Sequence, residues 1–393
     1  MHWMISLDAL DTTQEAILDE VVVGTGSHWI EGYAGTGKTI VLTHAVKKLR
    51  AKNKKASLCF VTYTHALKDL VASGLGDDNI DIFTVDSFVS QSEKYDWAFV
   101  DEVQDITEEK IRKIQELAKH TIWAGDPAQS LYHKRVQQRA LPAVLGTKSK
   151  KLKHIYRLSE KTYEIASTIY PWAQVMRGAL VSVVDDVDVQ LFEASTRAKE
   201  FAWVWSKAKI VSAVGRPSAV LFPTHEPPKD TGASSIYDFA CAVAKIEGKP
   251  NPPPRDELGR ITDYSKFNEH FRKHRIPLQF LGSDNGDLPE SDTKRMCYLM
   301  TYKSAKGLDF NSVFLPGLTS DISFEDGKMP KFTSDEWQRK FFFVALTRSR
   351  RDLFMSYHGV PHPFLREMPK EHFVFEKKKK RRKVGTTLVP NFF

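Results

Sequence analysis

The octapeptide Gly32-Tyr33-Ala34-Gly35-Thr36-Gly37-Lys38-Thr39 fits the pattern G-x-x-x-x-G-K-[ST], and it constrains the fold more than any other stretch of the chain. Gly32, Gly35, Thr36 and Gly37 shape a loop whose backbone N–H groups close around phosphate oxygens. Lys38 reaches the terminal phosphates, and the Thr39 hydroxyl can join a Mg²⁺ shell. Such a loop works only between a strand and the start of a helix. The flanks comply: His28-Trp29-Ile30 precedes it, and Ile40, Val41, Leu42, Ala45, Val46 and Leu49 follow at helical spacing. A nucleoside triphosphate is therefore the expected ligand.

At 393 residues the chain exceeds one ordinary core, and two domains are expected. Cys59, Cys241 and Cys297 form no C-x-x-C pair, which argues against a disulfide framework or zinc site and fits a reducing interior. No apolar stretch approaches membrane-spanning length and the N-terminus does not resemble a secretory signal, so an intracellular protein with no membrane partner is expected. The formal charge of +8 is misleading. Lys377 to Lys383 supplies seven of those charges, leaving the body near +1, so nucleic-acid contact would have to come from local grooves.

Strands are predicted over Ser57 to Tyr63, Asp81 to Val85, Tyr95 to Val100 and Thr121 to Ala124, with helices over His65 to Ser73 and Glu108 to Ala118 between them. Alternation of this kind means a mostly parallel α/β sheet. The basic, turn-prone Gly146 to Lys151 separates a second series with strands near Ser218 to Phe222, Cys297 to Thr301 and Ser312 to Leu315. Divisions at 1–148, 149–375 and a basic mobile tail at 376–393 follow, with a small Pro-bracketed insertion near 226–260 holding one helix around Ala240 to Ile246.

Val100-Asp101-Glu102 ends an apolar strand in paired acids, which suits a metal beside the phosphate loop and a hydrolytic water. Asp101 would contact the Mg²⁺ shell and Glu102 would act as general base.

From here the order and spacing of segments resemble the UvrD/Rep-like branch of superfamily 1 helicases. Leu10 to Gln14 resembles that family's adenine-reading segment, with Gln14 as reader, and Val61-Thr62-Tyr63-Thr64 its first strand-contacting segment. Thr84 to Phe88 is similar to another such segment. Gly125 to Tyr132 resembles the third motif, where Gln129 would sense the γ-phosphate. Ile155-Tyr156-Arg157 is similar to the fourth, with Tyr156 on the base and Arg157 on the transferring phosphate. Thr301 to Phe310 resembles the fifth and Val344 to Arg348 the sixth, where Arg348 is a second phosphate finger. The resemblance implies two RecA-like lobes, each a mostly parallel sheet flanked by helices, sharing one ATP with Mg²⁺. It places Gly307 and Asp309 at the nucleotide and Thr62, Tyr63, Thr84, Tyr132, Lys134, Thr301 and Lys303 at nucleic acid. An arginine reaching across a lobe boundary couples hydrolysis to closure.

The chain departs from that family in two ways. Larger members carry a domain inserted in each lobe; here only Val89 to Val100 fills the first gap, and the second is comparably short. Lys134 stands where a tryptophan is common, and Asp86 and Lys303 where histidines are, which weakens base stacking and leaves Tyr132, Lys134 and Arg135 to a phosphate backbone. The expected activity is an ATP-driven, 3′-to-5′ motor on single-stranded DNA in repair, recombination or defence, with RNA open as the alternative strand. The other reading is an ATPase switch that reports DNA ends or gaps to a partner such as a nuclease. The basic tail reads as a solvated arm, a nucleic-acid clamp or a nuclear localisation signal, so the compartment is cytoplasmic for a prokaryotic or viral chain and nuclear under the last reading.

Overall fold

The computed structural model describes residues 3–76, 79–130, 136–171, 180–181, 187–225, 234–253, 261, 263–282, 285–324 and 335–375. Tyr132, Lys134, the ends of the Pro-bracketed segment and the basic tail lie outside them.

The first lobe opens with α1 (Thr12–Val23), β1 (Ser27–Glu31), α2 (Lys38–Lys52), β2 (Leu58–Thr62), α3 (His65–Leu75), β3 (Asp81–Thr84) and α4 (Val85–Ser90). It continues through β4 (Tyr95–Val100), α5 (Glu108–Leu117), β5 (Ala118–Gly125), α6 (Leu141–Leu145) and β6 (Ser149–Lys151). These strands form one parallel sheet in the order β3-β2-β4-β5-β1-β6. The phosphate loop leaves the carboxyl end of β1, and Asp101 leaves that of β4, with β5 between. In an open parallel sheet, ligands bind at these carboxyl ends.

The second lobe contains α7 (Glu160–Ile169), β7 (Val189–Ala194), α8 (Arg197–Val211), β8 (Ser218–Phe222), α9 (Ile236–Ile246), α10 (Tyr264–Lys273) and β9 (Leu278–Phe280). After them come β10 (Cys297–Thr301), β11 (Phe310–Leu315), α11 (Asp335–Leu346), β12 (Ser349–His358), α12 (Pro363–Glu367) and β13 (Val374–Phe375). Its sheet is again parallel, in the order β13-β7-β12-β11-β8-β10-β9. The interior strands β2, β8 and β10 are buried at every residue. That is why they read as unbroken apolar runs: helices cover both faces.

Two boundaries differ from those drawn on composition. Ser149–Lys151 pairs with Trp29–Glu31 at the edge of the first sheet, so the basic segment closes that lobe before the chain crosses over. The helix expected inside an insertion is α9, and it is part of the core: Ile236, Phe239, Ala240 and Val243 pack with Phe201, Trp205 and Phe222. A capping box between Ser235 and Asp238 starts the helix.

Candidate active site

The chain path makes the loop specific. Gly35 and Gly37 sit at φ 80° and 85°, in the left-handed region where a side chain strains the backbone. A Cβ on Gly35 would lie 2.5 Å from Arg157 Cβ, and one on Gly37 2.6 Å from Gln14 Nε2. Glycine is needed here because other segments press against the loop. Gln14 Nε2 donates to the Thr36 carbonyl at 2.9 Å, and Lys38 Nζ to the Tyr33 carbonyl at 3.1 Å.

Thr39 Oγ1 donates to Asp101 Oδ2 at 2.5 Å, so the hydroxyl and carboxylate expected around a metal are brought together. Asp101 is fully buried; burial, with the Glu102 charge beside it, raises its pKa above the carboxylate range. Glu102 goes the other way. Burial alone would raise it, but the Lys306 and Lys38 ammonium groups and a hydrogen bond from Gln104 outweigh that and hold it low. Its backbone is left-handed, φ 58° and ψ 39°, which costs a residue of this size about 1–2 kcal/mol. Strain at this position, with Gln104 Nε2 donating to its carboxylate, fixes the direction in which the acid points.

Asp309 and Arg348 bring the second lobe to the site. They precede β11 and β12, which pair side by side, so both residues emerge from the amino ends of neighbouring strands. Arg348 is 1% exposed; its Nη2 donates to Gln129 Oε1 at 2.9 Å and its Nη1 to the Leu308 carbonyl at 3.1 Å. Gln129 in turn donates to Asp126 Oδ2 at 2.8 Å. Desolvation and the neighbouring Arg157 both disfavour the Arg348 charge, which Glu102, Asp309 and Asp126 support. This cation is poised for a further anion.

Arg157 lines the same cavity. It stands at the crossover between the sheets and touches both: the Tyr156 amide donates to the Gly35 carbonyl at 3.0 Å, while Arg157 Nη1 faces Asp309 Oδ2 at 3.4 Å. Its Nε is buried without a hydrogen-bond partner. Tyr156 OH donates to Asp11 Oδ2 at 2.5 Å, and Asp11 also caps α1 and so sets Gln14. Around these groups lies a cavity of about 450 Å³, whose walls include Lys38, Thr39, Glu102, Gln129, Arg157 and Arg348. Gly307 and Asp309 close one side, and Trp3, Ile5, Ala9 and Leu70 give the other an apolar face.

Three contributors were not singled out in the sequence. Lys306 is 4% exposed and inserts from the second lobe between Glu102, at 3.6 Å, and Asp105 of the first. Arg350 pairs with Asp309 at 2.8 Å, and Gln104 links Glu102 to the Asp126 amide. Lys306 lay inside the fifth quoted segment, and only its burial distinguishes it from a surface lysine.

Of the expected nucleic-acid residues, Thr62, Tyr63, Thr84, Thr301 and Lys303 do not line this cavity, and several hydroxyls are already engaged. Thr62 Oγ1 donates to the Thr64 carbonyl at 3.1 Å. Thr84 accepts from the Ser87 amide and caps α4 where β3 ends, and Thr301 accepts from the Ser304 amide at 3.0 Å in the turn after β10. Tyr63 and Lys303 are half-buried at the same ends.

Residues 238–359 match a family described as UvrD-like helicase C-terminal domain, and residues 9–170 match one described as AAA domain. The AAA-domain match covers the first lobe, and the UvrD-like match lies within the second. The chain's second lobe carries a UvrD-like helicase C-terminal domain. This UvrD-like chain is 34% identical over 95 residues to the ATP-dependent DNA helicase Rep of Buchnera aphidicola subsp. Schizaphis graminum, covering 21% of the chain and 14% of that protein. It is 25% identical over 157 residues to the ATP-dependent DNA helicase PcrA of Leuconostoc citreum, covering 40% and 19%. The UvrD-like chain therefore spans less than a fifth of the length of either relative. Among solved structures, an Arterivirus nonstructural protein 10 helicase with DNA superposes with a TM-score of 0.41 at 15% identity, over 87% of this chain and 63% of that one.

Proposed function

We propose that the protein is an ATP-hydrolysing motor of the helicase type that moves 3′ to 5′ along single-stranded DNA. One observation carries the reading: Arg348 of the second lobe bonds Gln129 of the first beside Lys38 and Glu102, at the wall of one cavity. A triphosphate there would touch both lobes, so its binding and loss change the force holding them together.

The oxygen pair of Thr39 and Asp101 fits Mg²⁺, which binds through one or two protein oxygens plus phosphates and water. When bound, the ion neutralises phosphate charge. Glu102 accepts the proton of the attacking water, Gln129 senses the terminal phosphate, and Arg157 and Arg348 offset the charge that develops on it. Gln14 and Tyr156 hold the base. Thr62, Tyr63, Thr84, Thr301 and Lys303 mark the strand path over the sheet ends.

No helix among the described residues is long and apolar enough to cross a membrane. The test measures ATPase rate against oligonucleotide length together with displacement on a 3′-tailed duplex. A rate that climbs with length to a plateau supports movement; a length-independent rate assigns the protein to a switch reporting to a partner such as a nuclease. Lys38→Ala or Glu102→Gln abolishes turnover, and normal turnover in either removes the assigned chemistry.

A further inference from the structure

A second cleft, of about 280 Å³, lies in the second lobe away from the nucleotide cavity. Its floor includes Ile276, Pro277, Leu278 and Met296, and its rim carries Arg272, Arg275, Lys294 and Arg295, all four exposed. The cations converge from separate segments. Arg272 lies in the last turn of α10, Arg275 follows the helix, and Lys294 and Arg295 arrive just ahead of β10. One lining carboxylate, Glu290, is already occupied by Lys294 at 2.8 Å and by Gln279 Nε2 at 3.2 Å. Arg295 donates to the Lys209 carbonyl at 3.1 Å. The Arg272 and Arg275 guanidinium groups make no hydrogen bond or ion pair with the described residues, although the Arg275 amide donates to the Arg272 carbonyl at 3.1 Å.

Helix dipole alone accounts for Arg272, since cations favour a helix carboxyl end. It does not account for Arg275, which lies beyond the helix at φ 56°. A long side chain held in the left-handed region is uncommon, and glycine would relieve the strain. Nor does the dipole explain the two cations opposite. With the charge of the body outside the tail near +1, such a local concentration is not a reflection of overall composition.

Position separates this cleft from the strand path already described. Thr301 and Lys303 lie at the carboxyl end of the five-residue β10, whereas Arg295 and Met296 precede its amino end. The Pro289–Asp292 turn beside the cleft also packs on α3 of the first lobe. The cleft therefore adjoins the seam that nucleotide-driven closure would move.

We propose that this cleft binds backbone phosphates of a nucleic-acid strand, as a second contact distinct from the Thr301 end of the sheet. Four cations around a partly apolar hollow suit phosphates and sugar carbons, without reading base sequence. The proposal rests on the motor reading and extends it: a strand held at both ends of β10 is gripped twice by the second lobe, beside the moving seam.

The test is the salt dependence of binding of a fluorescent oligothymidylate to the full chain. Each single-strand phosphate contact contributes a slope of about 0.7 in log affinity against log salt, so Arg272→Gln/Arg275→Gln lowers the slope by about 1.4. Arg275→Gly removes the charge without left-handed strain, so a lower slope of about 0.7 with an unchanged or raised Tm excludes misfolding as the cause. Unaltered slopes in both variants, with wild-type binding intact, overturn the cleft assignment and leave the motor reading standing. Absence of oligonucleotide binding by wild type overturns both. A parallel titration with inorganic pyrophosphate distinguishes the source: variants that lose pyrophosphate affinity but keep the oligonucleotide slope make this a small-anion site and overturn the proposal.

Discussion

Arg348 Nη2 donates to Gln129 Oε1 at 2.9 Å, across 219 residues of sequence and between two sheets. The bond places a second-lobe cation against the first-lobe residue expected to sense the terminal phosphate. Arg348→Lys should therefore lower kcat on the order of 10³-fold, because lysine cannot reproduce a planar fork that bonds Gln129, Leu308 and a phosphate together. Nucleotide affinity should change less than tenfold. Stopped-flow hydrolysis with a fluorescent-nucleotide titration checks the split, and near-normal kcat removes Arg348 from the chemistry.

Lys306 joins the lobes where Arg348 reads them. Removing its charge leaves Glu102 and Asp105 buried with a lost partner, and breaking a buried pair from one side costs about 3–5 kcal/mol. Lys306→Met should lower chemical-denaturation stability by that amount. A change under 1 kcal/mol would mean the two carboxylates reach water once the lysine is gone.

Tyr156→Phe isolates the base end of the cavity. The lost hydroxyl bond to Asp11 loosens the cap that sets Gln14, while the phosphate-facing residues are untouched. KM for ATP should rise roughly five- to tenfold with kcat nearly constant. Steady-state kinetics decide it, and a fall in kcat alone contradicts a base-positioning role.

Asp309 makes acid stability depend on Arg350. Burial would raise the Asp309 pKa, but Arg350 and Arg157 outweigh it and hold the carboxyl below the usual range. A folded pKa lower than the unfolded one, about 3.9, contributes stability that is present above that value and is lost as pH falls through the folded pKa. Arg350→Gln lets the folded pKa rise, so the acid-unfolding midpoint followed by circular dichroism should move to higher pH. An unmoved midpoint would show that Arg157 alone suffices.

Much of both sheets was legible because the signals are local. The strand-loop-helix around Lys38 follows from glycine spacing and flanking apolar residues, and β8 and β10 are apolar runs with the bounds seen in the fold. Other elements carry no such signal. β12 begins Ser349-Arg350-Arg351-Asp352, so charges hide a strand whose later residues are buried, and β6 is a three-residue lysine-rich edge. α9 was visible as a helix but not as core, because prolines on either side resemble the borders of an insertion.

The sequence by itself determined which chemistry the chain carries: the phosphate loop, the paired acids at a strand end and the order of motifs are contacts within a few residues, read directly from spacing. Only the tertiary structure decided which cations share that site. Lys306 and Arg350, unlike Arg348, were marked by no motif, and they differ from surface charges by what lies opposite them on another segment, which depends on how two separately formed sheets dock. Burial and long-range pairing are properties of that docking, so no local pattern encodes them.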